Sequence, residues 1–299
     1  MAFPRPEGIE TYHTKPYPAI DVTRPELSAK DKVVLITGGG SGLGRAFTEH
    51  FAKAGSTKLA ITGRRANVLE EAKKDIEATY PGAKVLTLVG DVADANAAND
   101  AFATIKSTFG PVDVLINNAG YLPHYVPIGS TDQGGFAEWW KGYEVNVKGS
   151  YNILTAFLSA AAKGATVINL STAGVNVLFP TQSAYGSSKM AATRVFEYFQ
   201  AEHPEFRVVN VAPGVVLTEM HERTISALDK MGKDQLPLDD ISLPASYLVW
   251  ASSPEAEFIK GRFVWVHWDV HELKALLEKR KDDKGFLHTA IEGMPNIPL

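Results

Sequence analysis

The chain has 299 residues, 45% hydrophobic and 21% charged, a formal net charge of -4 and no cysteine. That length supports one large α/β domain with a well-filled core, two domains being allowed but not required, and the absent thiols exclude disulfides and thiolate metal sites. A mildly acidic chain without a long basic run leaves no electrostatic footprint for nucleic acid, so a small, uncharged or mildly polar molecule is the expected partner.

The N-terminus, Met1-Ala-Phe-Pro-Arg-Pro-Glu7, lacks an apolar h-region, and no stretch approaches the ~20 apolar residues of a membrane span. A soluble cytoplasmic protein, with no membrane partner, is expected. Residues 1 to 30 carry Pro4, Pro6, Pro16, Pro18 and Pro25 and little apolar periodicity. They read as an irregular arm lying on the domain surface and anchored by Tyr12, Tyr17 and Ile20, or else as a disordered leader.

From Lys32 onward, apolar strand-like runs alternate with helical patterns. The strands are Lys32–Thr37, Lys58–Gly63, Lys84–Gly90, Val112–Asn117, Thr166–Leu170, Arg207–Ala212 and Phe263–Val266. Helices are predicted near Asn67–Tyr80, Asp94–Phe109, Phe136–Ala162, Ser183–His203 and Pro244–Ser252, and a further one leaves the first strand at Leu43–Ala54. Short strands apolar on both sides and separated by helices predict a doubly wound α/β fold, a parallel sheet of about seven strands with ligands at the strands' carboxyl ends.

Polar or small residues follow six consecutive strands on that side. The first is Thr37-Gly-Gly-Gly-Ser-Gly-Leu-Gly44, where glycines let the backbone approach a diphosphate and the following helix offers free N–H groups and its positive dipole end. The run misses G-x-G-x-x-G, because its third glycine would fall on Leu43; it reads T-G-x-x-x-G-x-G, and a plain tight turn is the bland alternative. Then come Gly63-Arg64-Arg65, Asp91-Val92, Asn117-Asn118-Ala119-Gly120, Ser171-Thr172 and Pro213-Gly214.

These motifs, with Tyr185-Gly-Ser-Ser-Lys189, carry a resemblance to short-chain dehydrogenases/reductases of the T-G-x-x-x-G-x-G, N-N-A-G and Y-x-x-x-K type, covering roughly Lys32 to Val266. The arm and the segment Trp268-Asp-Val-His-Glu-Leu273 are similar to those of fungal members. The resemblance implies a three-layer Rossmann-type domain over residues 31–268, with a substrate lid at 218–243 and a C-terminal extension at 269–299. It implies that Gly38, Ser41, Gly42, Leu43 and Gly44 cradle the cofactor, that Asp91 with Val92 contacts the adenine, and that Asn118, Ala119 and Gly120 line the cleft. Pro213, Gly214 and Val216 would border the nicotinamide, and Thr218 would bond its carboxamide. A bland alternative for Asn117 to Gly120 is stabilisation of the central sheet.

The position about twenty residues beyond the glycine turn, where an acidic residue would take the ribose hydroxyls, holds Gly63. Arg64 directly after it offers a planar donor fork suited to a 2′-phosphate, and Arg65 is placed to assist. NADP(H) is therefore the expected cofactor, with NAD(H) as the alternative; a solvated helix entrance is the bland reading of both arginines.

Tyr185 and Lys189 stand i, i+4, on one helix face. A nearby ammonium and an oxidised nicotinamide both favour the phenolate over an unperturbed pKa near ~10. By the resemblance, Tyr185 donates its proton to a carbonyl oxygen as hydride arrives, or removes it from an alcohol in reverse, and Lys189 also holds the nicotinamide ribose. A hydroxyl at the end of the fifth strand should bond the reacting oxygen. Strand register favours Thr172; counting back from Gly174 favours Ser171, and both stay candidates. Asn146, within a long helical pattern, can interrupt the hydrogen-bond ladder. By resemblance it completes a relay of Asn146, water, Lys189 and Tyr185.

The lid from His221 to Leu243 includes Gly232 as a hinge candidate, and its Met220, Leu228, Met231 and Leu236 face either substrate or core. A charged helix is predicted at Glu272–Lys281 in a tail that ends Gly293-Met-Pro-Asn-Ile-Pro and caps the cleft or a partner subunit, with Trp265 and Trp268 suited to such an interface. His267 and His271 have no evident third ligand and are read as unmetallated, so no metal is expected. The leading expectation is an oxidoreductase interconverting a carbonyl and a secondary alcohol of a small organic substrate, in a homodimer or homotetramer. The alternatives are a cofactor-retaining scaffold with a ligand-binding or non-redox role, and, with less support from the glycine pattern, an epimerase or dehydratase of the extended family.

Overall fold

The computed structural model describes residues 5–230 and 232–290. In chain order its main elements are β1 (Val33–Thr37), α1 (Gly42–Lys53), β2 (Lys58–Gly63), α2 (Ala66–Thr79), β3 (Lys84–Val89), α3 (Ala95–Phe109), β4 (Val112–Asn117), α4 (Gly135–Tyr143), α5 (Gly149–Leu158), β5 (Ala161–Leu170), α6 (Ser183–Glu202), β6 (Arg207–Ala212), α7 (Glu219–Lys230), α8 (Ser242–Ser252), β7 (Phe263–Trp265) and α9 (Val270–Lys279). The strands form one parallel sheet in the order β3-β2-β1-β4-β5-β6-β7, the Rossmann-type doubly wound arrangement, with helices on both faces.

Strand β1 is buried along its whole length because its alternate residues feed two cores. Val34 and Ile36 join the layer containing α1, α8 and α9; Val33 and Leu35 join the layer of α3, α5 and α6. Strand order reverses beside β1, between β2 and β4, so the crevice at the carboxyl ends opens where the glycine turn leaves the sheet.

The arm is part of the first core: Ile9, Ile20, Val22 and Leu27 are each at most 3% exposed. Its turn at Pro18–Ile20 packs on α8, which explains why α8 is apolar around its circumference and buried from Leu243 to Ala251. Arg24 reaches across to Glu255 at 2.7 Å.

Three expectations change. The long helical pattern Phe136–Ala162 is broken into α4, a π-helical turn at Glu144–Lys148 and α5, and Ala161 and Ala162 already belong to β5. Periodicity reads a π turn as continuous helix, and these alanines turn strand-like because Ala161 pairs with Val112 across a register shift. Trp265 and Trp268, expected at an interface, are 1% and 3% exposed inside the first core. The tail helix runs Val270–Lys279, begins at an Asp269 cap and packs against the arm, where Glu272 accepts from Glu10 N, Thr11 N and the Thr11 hydroxyl. No residue of 270–290 lines the crevice; Met231 and the segment Gly293 to Pro298 lie outside the described residues.

Candidate active site

At the end of β1 the chain turns through Gly38 (φ +67°) and Gly42 (φ +52°), a left-handed geometry that glycine adopts without strain. A Cβ on Gly44 would lie 2.1 Å from the Gly38 carbonyl oxygen, so helix and turn touch backbone to backbone. The N-cap of α1, Ser41, makes no side-chain cap. The first-turn N–H groups of the helix are thus left to an anion in the cavity that Gly42, Leu43 and Gly44 line.

That cavity, about 440 Å³, runs from this turn to the ends of β2, β3, β4, β5 and β6. It is lined by Gly38, Ser41, Gly42, Leu43, Gly44, Arg64, Asp91, Val92, Asn118, Ala119, Gly120, Ser171, Tyr185, Lys189, Pro213 and Thr218, and also by Arg65, Val68 and Leu69. An elongated nucleotide fits this shape: bare N–H groups for a diphosphate, apolar walls near Val68 and Leu69, and a phenol and an amine at the other end. The Asn118 amide donates to the Thr37 carbonyl at 2.8 Å, and the Thr37 hydroxyl accepts from Asn118 N and Ala119 N at 2.9 Å each. Asn118 and Ala119 therefore bind β4 to β1 as well as lining the cleft, while the Asn117 amide donates to Ser150 and Asn169 behind it.

At the β2 end, Arg64 Nη1 lies 3.8 Å from Asp91 Oδ2, both side chains being well exposed. Arg65 turns the other way, donating to Ser41 Oγ at 3.4 Å and meeting Glu219 at 3.3 Å. The two guanidinium groups flank the mouth of the cleft at one end, as the arginine pair after Gly63 suggested.

At the other end, α6 presents Tyr185 and Lys189 one turn apart. The Lys189 ammonium donates to the Leu170 carbonyl and is 6% exposed. The Thr172 hydroxyl, which accepts from Gly174 N at 3.2 Å, faces the Tyr185 phenol closely enough to draw its pKa down. Ser171 Oγ instead pairs with Thr193 Oγ1 at 2.7 Å, at 4% exposure. The pleat of β5 thus sends the two adjacent hydroxyls to different places.

Electrostatics here runs against the sequence expectation of an acidified phenol. Burial pushes Tyr185 up to about 12, opposed in part by the Thr172 hydroxyl, and burial pulls Lys189 down to about 8. With the ammonium directed to Leu170, desolvation governs the phenol and leaves it protonated. At neutral pH the phenol is therefore a proton donor.

Four expected residues sit behind the cleft rather than on its wall. Thr172 acts on Tyr185 from the side. Asn146, 2% exposed, lies in the π turn with its amide spent on the Tyr121 backbone (2.8 and 2.9 Å) and on Ser188 Oγ (2.9 Å), so its side chain braces the segment that follows β4. Gly214, at φ +82°, packs on Asp239 and His267, and Val216 is 5% exposed. Of the apolar residues expected on a lid, Met220 lines the cleft and Leu228 is buried.

The short chain dehydrogenase sequence profile matches residues 32–229. This chain belongs to the short-chain dehydrogenase/reductase family. It is similar, at 34% identity over 289 residues and 96% of each chain, to the short chain dehydrogenase/reductase AacuD of Aspergillus aculeatus. It is also 34% identical over 292 residues to the short chain dehydrogenase citE of Monascus ruber, covering 93% of this chain and 96% of that one. Among solved structures, levodione reductase superposes with a TM-score of 0.72 and 27% identity over 80% of this chain and 96% of its own. As a short-chain dehydrogenase/reductase similar to fungal members, the protein is an NAD(P)-dependent oxidoreductase. No helix of the described residues is long and apolar enough to cross a membrane.

Several residues near the cleft were not singled out by spacing, though most fall in the segments 121–140 and 221–243 that follow β4 and β6. Arg223 of α7 lines it, and the Tyr121 hydroxyl donates to Glu138 Oε1 at 2.5 Å above it. Tyr125, Gln182 and Thr224 join through the Tyr125 hydroxyl, 2.8 Å from Thr224 Oγ1. Their partners come from three distant segments, so no local spacing announces them.

Proposed function

We propose that the chain is an NADP(H)-dependent oxidoreductase interconverting a carbonyl and a secondary alcohol on a small organic molecule. The observation that carries this reading is the grouping, at one end of a nucleotide-shaped cleft, of a protonated phenol with a buried amine one helical turn away on α6. When bound, the reduced nicotinamide supplies the hydride. Tyr185 gives its proton to the carbonyl oxygen, Thr172 orients that phenol, and Lys189 offsets the negative charge left on it. Gly38, Ser41, Gly42, Leu43 and Gly44 hold the diphosphate, with Asp91, Val92, Asn118, Ala119 and Gly120 along the adenosine and ribose; Pro213 and Thr218 border the nicotinamide.

Preference for NADP(H) is supported by Gly63, which leaves room, and by Arg64 and Arg65 at the mouth. A homodimer or homotetramer is supported by Phe136, Tyr151 and Leu158, 74%, 62% and 43% exposed on α4 and α5. Light scattering at the monomer mass would reject that assembly.

The test is loss of the NADPH absorbance band across a panel of ketones, with wild type and Tyr185→Phe side by side. Turnover that Tyr185→Phe abolishes supports the reading. NADPH binding without turnover of any ketone favours a ligand-binding or non-redox role.

A further inference from the structure

The excursion between β6 and α8 begins and ends at one point. Val215 N donates to Asp239 Oδ2 at 2.8 Å, and Asp239 N donates to the Val215 carbonyl at 2.7 Å. The same carboxylate oxygen lies 2.8 Å from His267 Nε2, just beyond β7, with the two side chains 5% and 0% exposed. Gly214 has to lack a side chain here: a Cβ would lie 2.5 Å from Asp239 Oδ2 and 2.9 Å from His267 Nε2.

The arm closes over this pair. The Tyr12 ring stacks on the His267 imidazole at 4.5 Å and 9°. His13 N donates to the His267 carbonyl at 2.8 Å, Asp240 N donates to the Thr14 carbonyl at 2.9 Å, and Tyr12 bridges to Trp268. One carboxylate thus collects the start of the excursion, its end, β7 and, through the imidazole, the arm.

We infer that Asp239 and His267 are positioning residues of the redox site: they fix the base of the 216–238 lid to β7, and Tyr12 seals them from water. The inference rests on the functional reading above, because Pro213 and Thr218, on either side of Val215, are the residues assigned there to the nicotinamide end. An excursion pinned at both feet loses less entropy when it orders over substrate, and its pinned feet keep those residues in register with Tyr185. Removing the carboxylate leaves the Val215 N–H and the imidazole N–H buried without their acceptor.

Asp239→Ala, Asp239→Asn and Tyr12→Phe in the full chain test this by hydrogen exchange, by kcat and KM with NADPH and a turned-over ketone, and by inhibition with 2′,5′-ADP, which spans only the adenosine half. In Asp239→Ala, amides of residues 216–230 should exchange at least about tenfold faster in the free protein while the sheet is unchanged. kcat/KM should fall about 30-fold or more, and the 2′,5′-ADP inhibition constant should stay within about twofold. Asp239→Asn keeps an acceptor for Val215 N and Tyr12→Phe keeps the stack, so both should stay within about fivefold of wild type. Unchanged exchange over 216–230 overturns the inference, as does faster exchange across the sheet with a parallel rise in the 2′,5′-ADP constant, which marks a merely structural pair. If wild type turns over no ketone, the functional reading fails, and exchange in the free protein still decides whether Asp239 anchors the lid.

Discussion

Ser171 Oγ is bonded to Thr193 Oγ1 at 2.7 Å and buried, while the hydroxyl of Thr172, its neighbour on the strand, draws down the pKa of the Tyr185 phenol. Two adjacent hydroxyls that compete in the sequence for one role are separated by a single step of strand pleat. Thr172→Val should therefore lower kcat by about tenfold, the size of losing one hydrogen-bonding hydroxyl beside the phenol. Ser171→Ala should cost about 1 kcal/mol of stability and leave kcat within a few-fold. Steady-state kinetics and urea denaturation on the same preparations check both.

Lys189 gives a prediction with a definite sign. Its folded pKa of about 8 lies below the ordinary 10.5, so between those values the unfolded chain holds more protons and stability rises with pH. Below about pH 8 the burial cost is constant. Lys189→Met should thus stabilise the free protein at pH 7 by up to ~3 kcal/mol, a gain that shrinks as pH rises and vanishes above 10.5. The same variant should lose reductase activity, and wild-type reduction should decline above about pH 8 as the ammonium is lost. Denaturation at pH 7 and pH 10 beside a pH–rate profile tests the pair of statements.

Arg64 sits exposed at the cleft mouth, 3.8 Å from Asp91. Arg64→Ala should raise the KM for NADPH about ten- to a hundredfold, the worth of one charge-assisted contact, and hardly change that for NADH. Equal effects on both cofactors would discard the assignment to the 2′-phosphate.

Gly44 and Gly82 make a matched pair. A Cβ on Gly44 meets the Gly38 carbonyl at 2.1 Å, whereas one on Gly82 meets nothing within 4 Å. Gly44→Ala should abolish NADPH binding by fluorescence titration and lower Tm. Gly82→Ala should bind normally and be neutral or up to about 1 kcal/mol more stable, through the reduced freedom of the unfolded chain.

Much of the fold was legible because its cause is local. Buried runs such as residues 33–36 of β1 are apolar throughout, helices such as Gly42–Lys53 and Ala66–Thr79 carry a 3.6-residue stripe, and Gly44 marks a backbone approach that only glycine permits. Where the expected elements failed, the cause was not local. The π turn around Asn146 and the early start of β5 at Ala161 depend on partners in β4 and α6, which no window along the chain contains.

The amino-acid string alone determined the parallel sheet and the placing of Tyr185 and Lys189 on one helix face, since each follows from spacing along the backbone, and its motifs carried the resemblance to the family. Only the folded chain decided that Ser171 is tied to Thr193, that burial raises the pKa of the phenol, and that Tyr12, Asp239 and His267 share one buried contact. Desolvation and long-range pairing depend on what surrounds a group in space, and residues more than 200 positions apart acquire that relation only by folding.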